Sequence, residues 1–207
     1  MSTVPRWALL SAGGAPLFLV GGWTLAQAAQ PDGFDPVRQT ISALAASGAD
    51  HRWIMTIGLA GLGLCHLATA LGLVSAAPAG RGLLALGGLA TLVVVAFPQN
   101  PTGDSTTHAV AAGVAFGALA VWPALAVPRR AAPAFHRDSS ARVRRAGFAT
   151  AAVLLGLIGW FAVEFFTDGA WIGLTERLVA AAEAVAPLAA VLTAMAAQRQ
   201  SRSSGPG

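Results

Sequence analysis

Apolar residues recur in long runs along this chain, and only short polar breaks separate them. Six runs approach or exceed the roughly 20 residues that an α-helix needs to cross the hydrocarbon core of a bilayer. The pattern predicts an all-α integral membrane protein, a six-helix transmembrane bundle that forms one domain. The predicted spans are residues 7–29, 53–77, 80–97, 107–127, 147–166 and 174–197, and a disordered polar tail is predicted at 198–207.

The first run also has a second interpretation. Arg6 before an apolar stretch, with small residues at Ala26–Ala28, resembles a secretory signal peptide and its cleavage site. The apolar region is longer than a usual signal core, and five more runs follow it. Its length therefore favours a first helix that stays in the mature protein.

The most polar break, DGFDPVRQTISALAASGADHRW, separates the first two spans. Asp35 before Pro36 is a favourable helix start, because a carboxylate accepts hydrogen bonds from free backbone N–H groups and proline tolerates the first helical position. Apolar residues then recur at helical spacing as far as Ser47, and Arg38 and Ser42 share an adjacent face. These features predict a short amphipathic helix that cannot span and that lies over the outer end of the bundle.

Composition and charge agree with a membrane protein. Of the 207 residues 55% are hydrophobic and 11% are charged, whereas about 25% are charged in an average soluble protein. Ten of the thirteen arginines fall on the side that holds both termini, so the positive-inside rule predicts a plasma-membrane protein with both termini cytoplasmic. The arginines lie in loops such as 128–145, where they can meet anionic lipids, so membrane lipids and not nucleic acids are the expected partners.

The acidic residues gather at the predicted outer side, and one of them lies deeper. Glu183 is central in the sixth span, where a charged residue costs about 2.5 to 3.5 kcal/mol, so it must face the bundle, pair with a cation or be protonated. Arg177 is the nearest basic candidate, for which Glu164 could compete. His66 lies in the second span without any residue at ligand spacing, which favours an imidazole bonded to a neighbouring backbone carbonyl.

A second polar break, PQNPTGDSTTH, ends one span and starts the next. Asp104 and His108 are four apart and share a face if the helix already runs there. A carboxylate beside an imidazole suits a general base or a metal ligand, and it suits an ordinary helix cap equally. In the helix that follows, Gly113 and Gly117 at GxxxG spacing predict a close approach between helices of the chain.

Four segments, DPVRQTISALAA, HRWIMTIGLAGLGLCHLATALGL, FPQNPTGDSTTHAVAA and GLTERLVAAAEAVAP, resemble the domain-of-unknown-function family 998. This is a family of multi-pass membrane proteins common in actinobacteria. The resemblance covers about residues 8–195, and its most specific parts are RQTIS and the loop that ends in His108. It implies a helical membrane bundle and no established activity.

Three classes of function stay open. The favoured class is a binding module whose outer-facing polar pocket, beneath the short helix, holds a lipid or another amphiphilic, hydrophobic small molecule. The predicted pocket is edged by Asp104, His108, Glu164 and Glu183. Candidate catalytic residues are Glu164, Glu183, Asp104 and His108, and candidate ligand-binding residues are Arg38, Ser42, Asp168 and Arg177; no metal site or cofactor is predicted.

The alternative class is a membrane-embedded enzyme on a lipid or prenyl substrate. In a terpenoid cyclase, Glu164 or Glu183 would be the starting acid and nearby aromatic faces would stabilise the cation. A metal-dependent hydrolase using Ser42, Asp104 and His108 has weaker support, since the chain has no H-x-x-x-H pair. The third class is proton coupling through Glu183 and His66, although no inverted repeat is visible. The aromatic candidates for a cyclase are Trp160, Phe161, Phe165 and Trp171.

Overall fold

A computed structural model of the protein describes residues 3–100, 105–127 and 137–203 and, within them, the side chains of all but 137–140 and 201–203. Asp104 and the first arginines of the loop at 128–145 lie outside the described residues. Within the described ranges the chain forms seven α-helices and no strand. The helices are α1 (Arg6–Ala28), α2 (Ile41–Leu44), α3 (Trp53–Gly72), α4 (Pro78–Ala96), α5 (Thr106–Leu125), α6 (Arg137–Phe166) and α7 (Ile172–Ser203).

Every helix except α2 is long and apolar enough to cross a membrane, which confirms the six predicted spans. Most helix ends lie within two residues of the prediction, and three differ by more: α3 ends at Gly72 and not at 77, α6 begins ten residues early and α7 ends six residues late. The third span starts at Pro78, since proline fits the first helical turn, where its missing N–H is not needed. Helix α6 begins at Arg137, and α7 runs to Ser203, into the predicted tail. Both extensions are polar. The hydropathy pattern marks only the apolar part of a helix, so it does not predict them.

The six spans form a closed ring. Each packs against two neighbours in the order α1, α3, α4, α5, α6 and α7, and α7 returns to α1. Helix α2 contacts α1 and α7 at one end of this ring, which we call the α2 end. The opposite end, where α1 begins and α7 finishes, is called the terminal end. Helix α6 is the most peripheral span, with 11% of its apolar window buried.

Glycines set the closest helix crossings of the ring. A Cβ atom on Gly63 of α3 would lie 2.8 Å from the carbonyl oxygen of Gly88 in α4, and the reverse distance is 2.7 Å. Only glycine allows backbones to approach this closely. The prediction for Gly113 and Gly117 is wrong, because a Cβ atom at either position would meet nothing within 4 Å. The GxxxG spacing alone therefore does not identify which helix faces meet.

Two clusters of buried apolar side chains fill the inside of the ring. One lies at the α2 end and includes Leu19, Leu44 and Met55. The other lies at the terminal end and includes Leu84 and Trp122. Members of the first cluster, Leu19 among them, also line the cavity that holds the polar side chains described next.

Candidate functional site

The polar segment after α1 folds over the α2 end of the ring and forms a lid, residues 35–44. Its helical part is shorter than the predicted helix over 35–47, since α2 begins at Ile41 and ends at Leu44. The Thr40 hydroxyl caps this turn by accepting a hydrogen bond from the backbone N–H of Ala43, at 3.0 Å. The lid residues before Thr40 form turns and not a helix, because carbonyl groups among them accept hydrogen bonds from α7.

Arg177, at the start of α7, holds the first half of the lid. Its Nη1 donates hydrogen bonds to the carbonyl oxygens of Pro36, at 2.8 Å, and Gln39, at 2.7 Å. The same nitrogen also donates to the carbonyl of Gly173 in its own helix, at 3.0 Å. These lid carbonyl groups accept hydrogen bonds from a guanidinium group and not from backbone N–H groups of the lid. A helix from residue 35 therefore does not form.

Glu176, the residue before Arg177, holds the second half of the lid. Its two carboxylate oxygens accept hydrogen bonds from the backbone N–H of Ile41 and from the Ser42 hydroxyl, the latter at 2.9 Å. Glu176 is buried, and the adjacent guanidinium supplies a counter-charge. Charge-assisted hydrogen bonds of this kind are among the stronger ones in proteins. The lid is therefore bonded to α7 through both its backbone and its side chains.

Beneath the lid lies a cavity of about 60 Å³ inside the ring. Its walls are mainly Leu, Ala and Val side chains, with Phe116 as the one phenylalanine, and they come from α1 to α5 and α7. Ser42 and Glu176 lie at the lid. Glu183 is seven residues further along α7, about 10 Å deeper at the rise of an α-helix. The polar side chains that line the cavity are Ser42, His66, Thr91, Glu176 and Glu183.

Glu183 and His66 are the unusual members of this group. They are 2% and 0% exposed, respectively, and Oε1 of Glu183 and both ring nitrogens of His66 have no hydrogen-bond partner among the described residues. The interpretation of His66 as an imidazole bonded to a backbone carbonyl is therefore wrong. The sequence pairs His66 with Glu183 only for proton coupling and not among the candidate binding residues, because a shared cavity is a tertiary feature. The available signal was that both are ionisable residues well inside their spans.

His108 lies near the α2 end but does not line the cavity. The Ser105 hydroxyl caps α5 by accepting from the His108 backbone N–H, at 3.4 Å. The ring Nδ1 is 3.1 Å from the carbonyl oxygen of Phe97, and Nε2 is buried without a partner. His108 thus links the end of α4 to the start of α5.

Glu164 lies in the last turn of α6, and Asp168 lies in the turn between α6 and α7. Glu164 accepts hydrogen bonds from the backbone N–H of Trp171, at 2.9 Å, and from Nε1 of Trp160, at 3.4 Å. Asp168 is exposed and has a positive φ of 48°. Neither residue lines the cavity, and Glu164 makes no ion pair with Arg177 among the described residues.

Arg38 also lies away from the cavity. Its side chain is 69% exposed, and its Nε is 3.5 Å from a carboxylate oxygen of Asp35. The structure thus brings Ser42 and Glu183 of the predicted candidates to one cavity, adds His66, Thr91 and Glu176, and uses Arg177 to hold the lid. No three His, Cys, Asp or Glu side chains of the described residues come together as a metal-binding group.

A comparison with known protein families matches nearly all of the chain, including the residues of the lid and the cavity. The model of the family described as protein of unknown function (DUF998) matches residues 12–194. The chain belongs to this family. The DUF998 match includes the lid, both residues that hold it, and the deep pair Glu183 and His66. Neither the curated proteins nor the solved structures contain a match. The function of this DUF998 protein therefore has to be argued from the cavity.

Proposed function

We propose that this protein is a multi-pass plasma-membrane protein that binds a lipid or another small amphiphilic molecule in the cavity beneath the lid. The observation that carries the proposal is the pair Glu183 and His66, both buried in one cavity without hydrogen-bond partners. More than about 90% of buried polar groups in proteins have a partner, and leaving one unpaired costs about 1 to 3 kcal/mol. A bound molecule that pairs with both groups would remove this cost.

The walls support an amphiphilic ligand. Small-molecule sites are mostly apolar and contain a few polar groups that converge on the ligand. This cavity has that composition, with Leu59 and Phe116 among its walls and Thr91 in the lining together with Glu183 and His66. A polar group of the ligand would bind Glu183 and His66, and an apolar part would lie along the walls.

The volume indicates how much of a ligand the closed form holds. A water molecule needs about 10 to 15 Å³ of such space, so 60 Å³ accommodates a polar head of a few non-hydrogen atoms. A longer chain requires the lid to move or neighbouring helices to part. The lid held by Glu176 and Arg177 would then control entry.

The orientation follows from charge. By sequence position, ten arginines fall in the segments on the side that holds both termini, and three fall in the segments on the opposite side, which is that of the α2 end. By the positive-inside rule the terminal end is cytoplasmic and the lid faces the outside. The ligand would accordingly enter from the outer side of the membrane.

A membrane-embedded enzyme on a lipid or prenyl substrate is the alternative, and the geometry supports it less. The aromatic residues near Glu164 do not line the cavity; Phe161 contacts Phe116 in a tilted arrangement, with ring centroids 5.6 Å apart and ring planes at 50°. Among the described residues, Phe116 is therefore the one aromatic carbon ring that lines the cavity with Glu183. Stabilising a travelling carbocation would need more aromatic faces than this.

Mass spectrometry of molecules that copurify with the protein tests the binding proposal. We expect the wild type to retain a specific small molecule or lipid, and Glu183→Gln to lose it. Glu164→Gln is the matched control, since it makes the same chemical change outside the cavity and a glutamine oxygen can still accept from Trp171 N–H. Equal amounts of the same molecules in all three proteins would overturn the proposal.

A further inference from the structure

We infer that the molecule bound in this cavity is a primary amine, held as an ammonium group by Glu183 and His66. This inference rests on the proposed function and names the class of its ligand. Three observations lead to it: the charges that line the cavity, the balance of its hydrogen-bond donors and acceptors, and the position of its phenylalanine.

The charges of the lining exclude an anionic head. Glu176 and Glu183 line the cavity, and no arginine with a described side chain does. Arg177 follows Glu176 in sequence, but its Nη1 bonds to lid carbonyls and its side chain is not part of the lining. A carboxylate or phosphate head would meet two carboxyl groups without a compensating cation, and burying like charges together is unfavourable.

The donors and acceptors in the cavity are also unbalanced. The Ser42 hydroxyl donates to Glu176 and the Thr91 hydroxyl donates to the carbonyl of Gly87, at 2.9 Å, so both donors are used. A neutral imidazole has one N–H and an ionised Glu183 has none, which leaves the ring of His66 as the only free side-chain donor among the described lining residues. The carboxylate of Glu183, the other ring nitrogen of His66 and the lone pairs of both hydroxyls remain as acceptors.

An ammonium group fits this excess of acceptors. It has three N–H donors and no acceptor, so it can bond to Glu183, His66 and Thr91 at once. It also supplies the counter-charge that Glu183 lacks, and hydrogen bonds between charged partners are roughly twice as strong as neutral ones. Phe116 lines the same space, and a cation is favourable near an aromatic ring. An alcohol has a single donor and no charge, so it satisfies fewer of these groups.

Calorimetric titration of the full chain in detergent micelles with three ligands of equal chain length tests the inference. The ligands are hexylamine, hexan-1-ol and hexanoic acid, used at a pH where the amine is protonated and the acid ionised in water. We expect hexylamine to bind at least tenfold more tightly than the other two, because it alone brings a cation and three donors. Glu183→Gln should remove this preference, and Glu164→Gln should keep it.

Thr91→Val provides a second variant if Glu183→Gln does not fold. Valine has nearly the shape of threonine, and the lost hydroxyl donates only within its own helix. We expect a several-fold weaker affinity for hexylamine and no change for hexan-1-ol. An amine affinity that neither variant changes would overturn the inference.

The remaining outcomes separate the two proposals. If the alcohol or the acid binds as tightly as the amine and Glu183→Gln abolishes that binding, the amine class is wrong and the binding function stands. If none of the three ligands binds, the amine inference is wrong, and the copurification experiment then decides the binding function independently. If the amine alone binds and Glu183→Gln abolishes its binding, both proposals are supported.

Discussion

Two glutamates on one helix face have opposite surroundings. Glu176 and Glu183 are seven residues apart in α7 and both line the cavity. Glu176 is paired with Ser42, the Ile41 backbone and the adjacent Arg177, whereas Glu183 has no partner among the described residues. The first therefore has a structural role that the hydrogen bonds explain. The second is a buried polar group that the fold leaves available.

The pair Ser42 and Glu176 gives a prediction at the residue scale. Ser42→Ala removes one donor to a buried carboxylate, and Glu176→Gln weakens its acceptance of both donors. Each single change should lower the free energy of unfolding by about 1 to 3 kcal/mol. Because both changes act on the same contact, the double variant should lose less than the sum of the two, as thermal unfolding in detergent would show.

Ser47→Ala is the control for this comparison of single and double variants. Ser47 lies just after the lid, and its hydroxyl makes no hydrogen bond within the described part of the chain. We expect an effect within about 0.5 kcal/mol. Strict additivity of Ser42→Ala and Glu176→Gln would contradict the contact.

The site residues show what the sequence can predict and what it cannot. Glu183 was predicted because an acid inside a span has to face the bundle, which is a local energetic rule. Arg38 was predicted to share a face with Ser42 because helical spacing was assumed over 35–47. In the structure the lid is held by Arg177, whose hydrogen bond to Pro36 joins residues 141 positions apart in the sequence. No local sequence pattern reveals such a contact.

At the scale of elements, the lid depends on the absence of a side chain at Gly173. A Cβ atom there would lie 2.6 Å from the carbonyl oxygen of Pro36, and it would also collide with the carbonyl of Gln39. Both obstacles are backbone atoms, which cannot rotate aside as a side chain would. The start of α7 and the lid therefore pack as one unit, and a small change in α7 should displace the lid.

Gly173→Ala is the prediction that follows for the lid. We expect faster maleimide labelling of Leu44→Cys, which is buried at 1% exposure, in a background where Cys65→Ala removes the native thiol. Gly156→Ala is the matched control, because a Cβ atom at Gly156 in α6 meets nothing within 4 Å. Equal labelling rates for the two alanine variants would show that the lid does not rest on Gly173.

At the scale of the whole molecule, hydropathy predicts the spans and leaves their arrangement open. Six apolar runs are enough to predict six crossing helices, since the bilayer fixes their length. The closed ring and its cavity depend on which faces meet. Those contacts are set by glycine pairs such as Gly63 and Gly88, which no spacing motif marks in this chain. Gly113 and Gly117, which do have the motif spacing, meet no neighbour.

The direction in which the ring crosses the membrane decides which ligands can reach the cavity. If the ten arginines of the terminal end hold it in the cytoplasm, the lid samples amphiphiles from the outer leaflet. A fluorescent-protein fusion after residue 207 should then be fluorescent, and alkaline phosphatase inserted after Gly48, just beyond the lid, should be active. Phosphatase fused after residue 207 is the control and should be inactive. The reverse pattern would place the lid inside the cell, and the amine would then have to come from the cytoplasm.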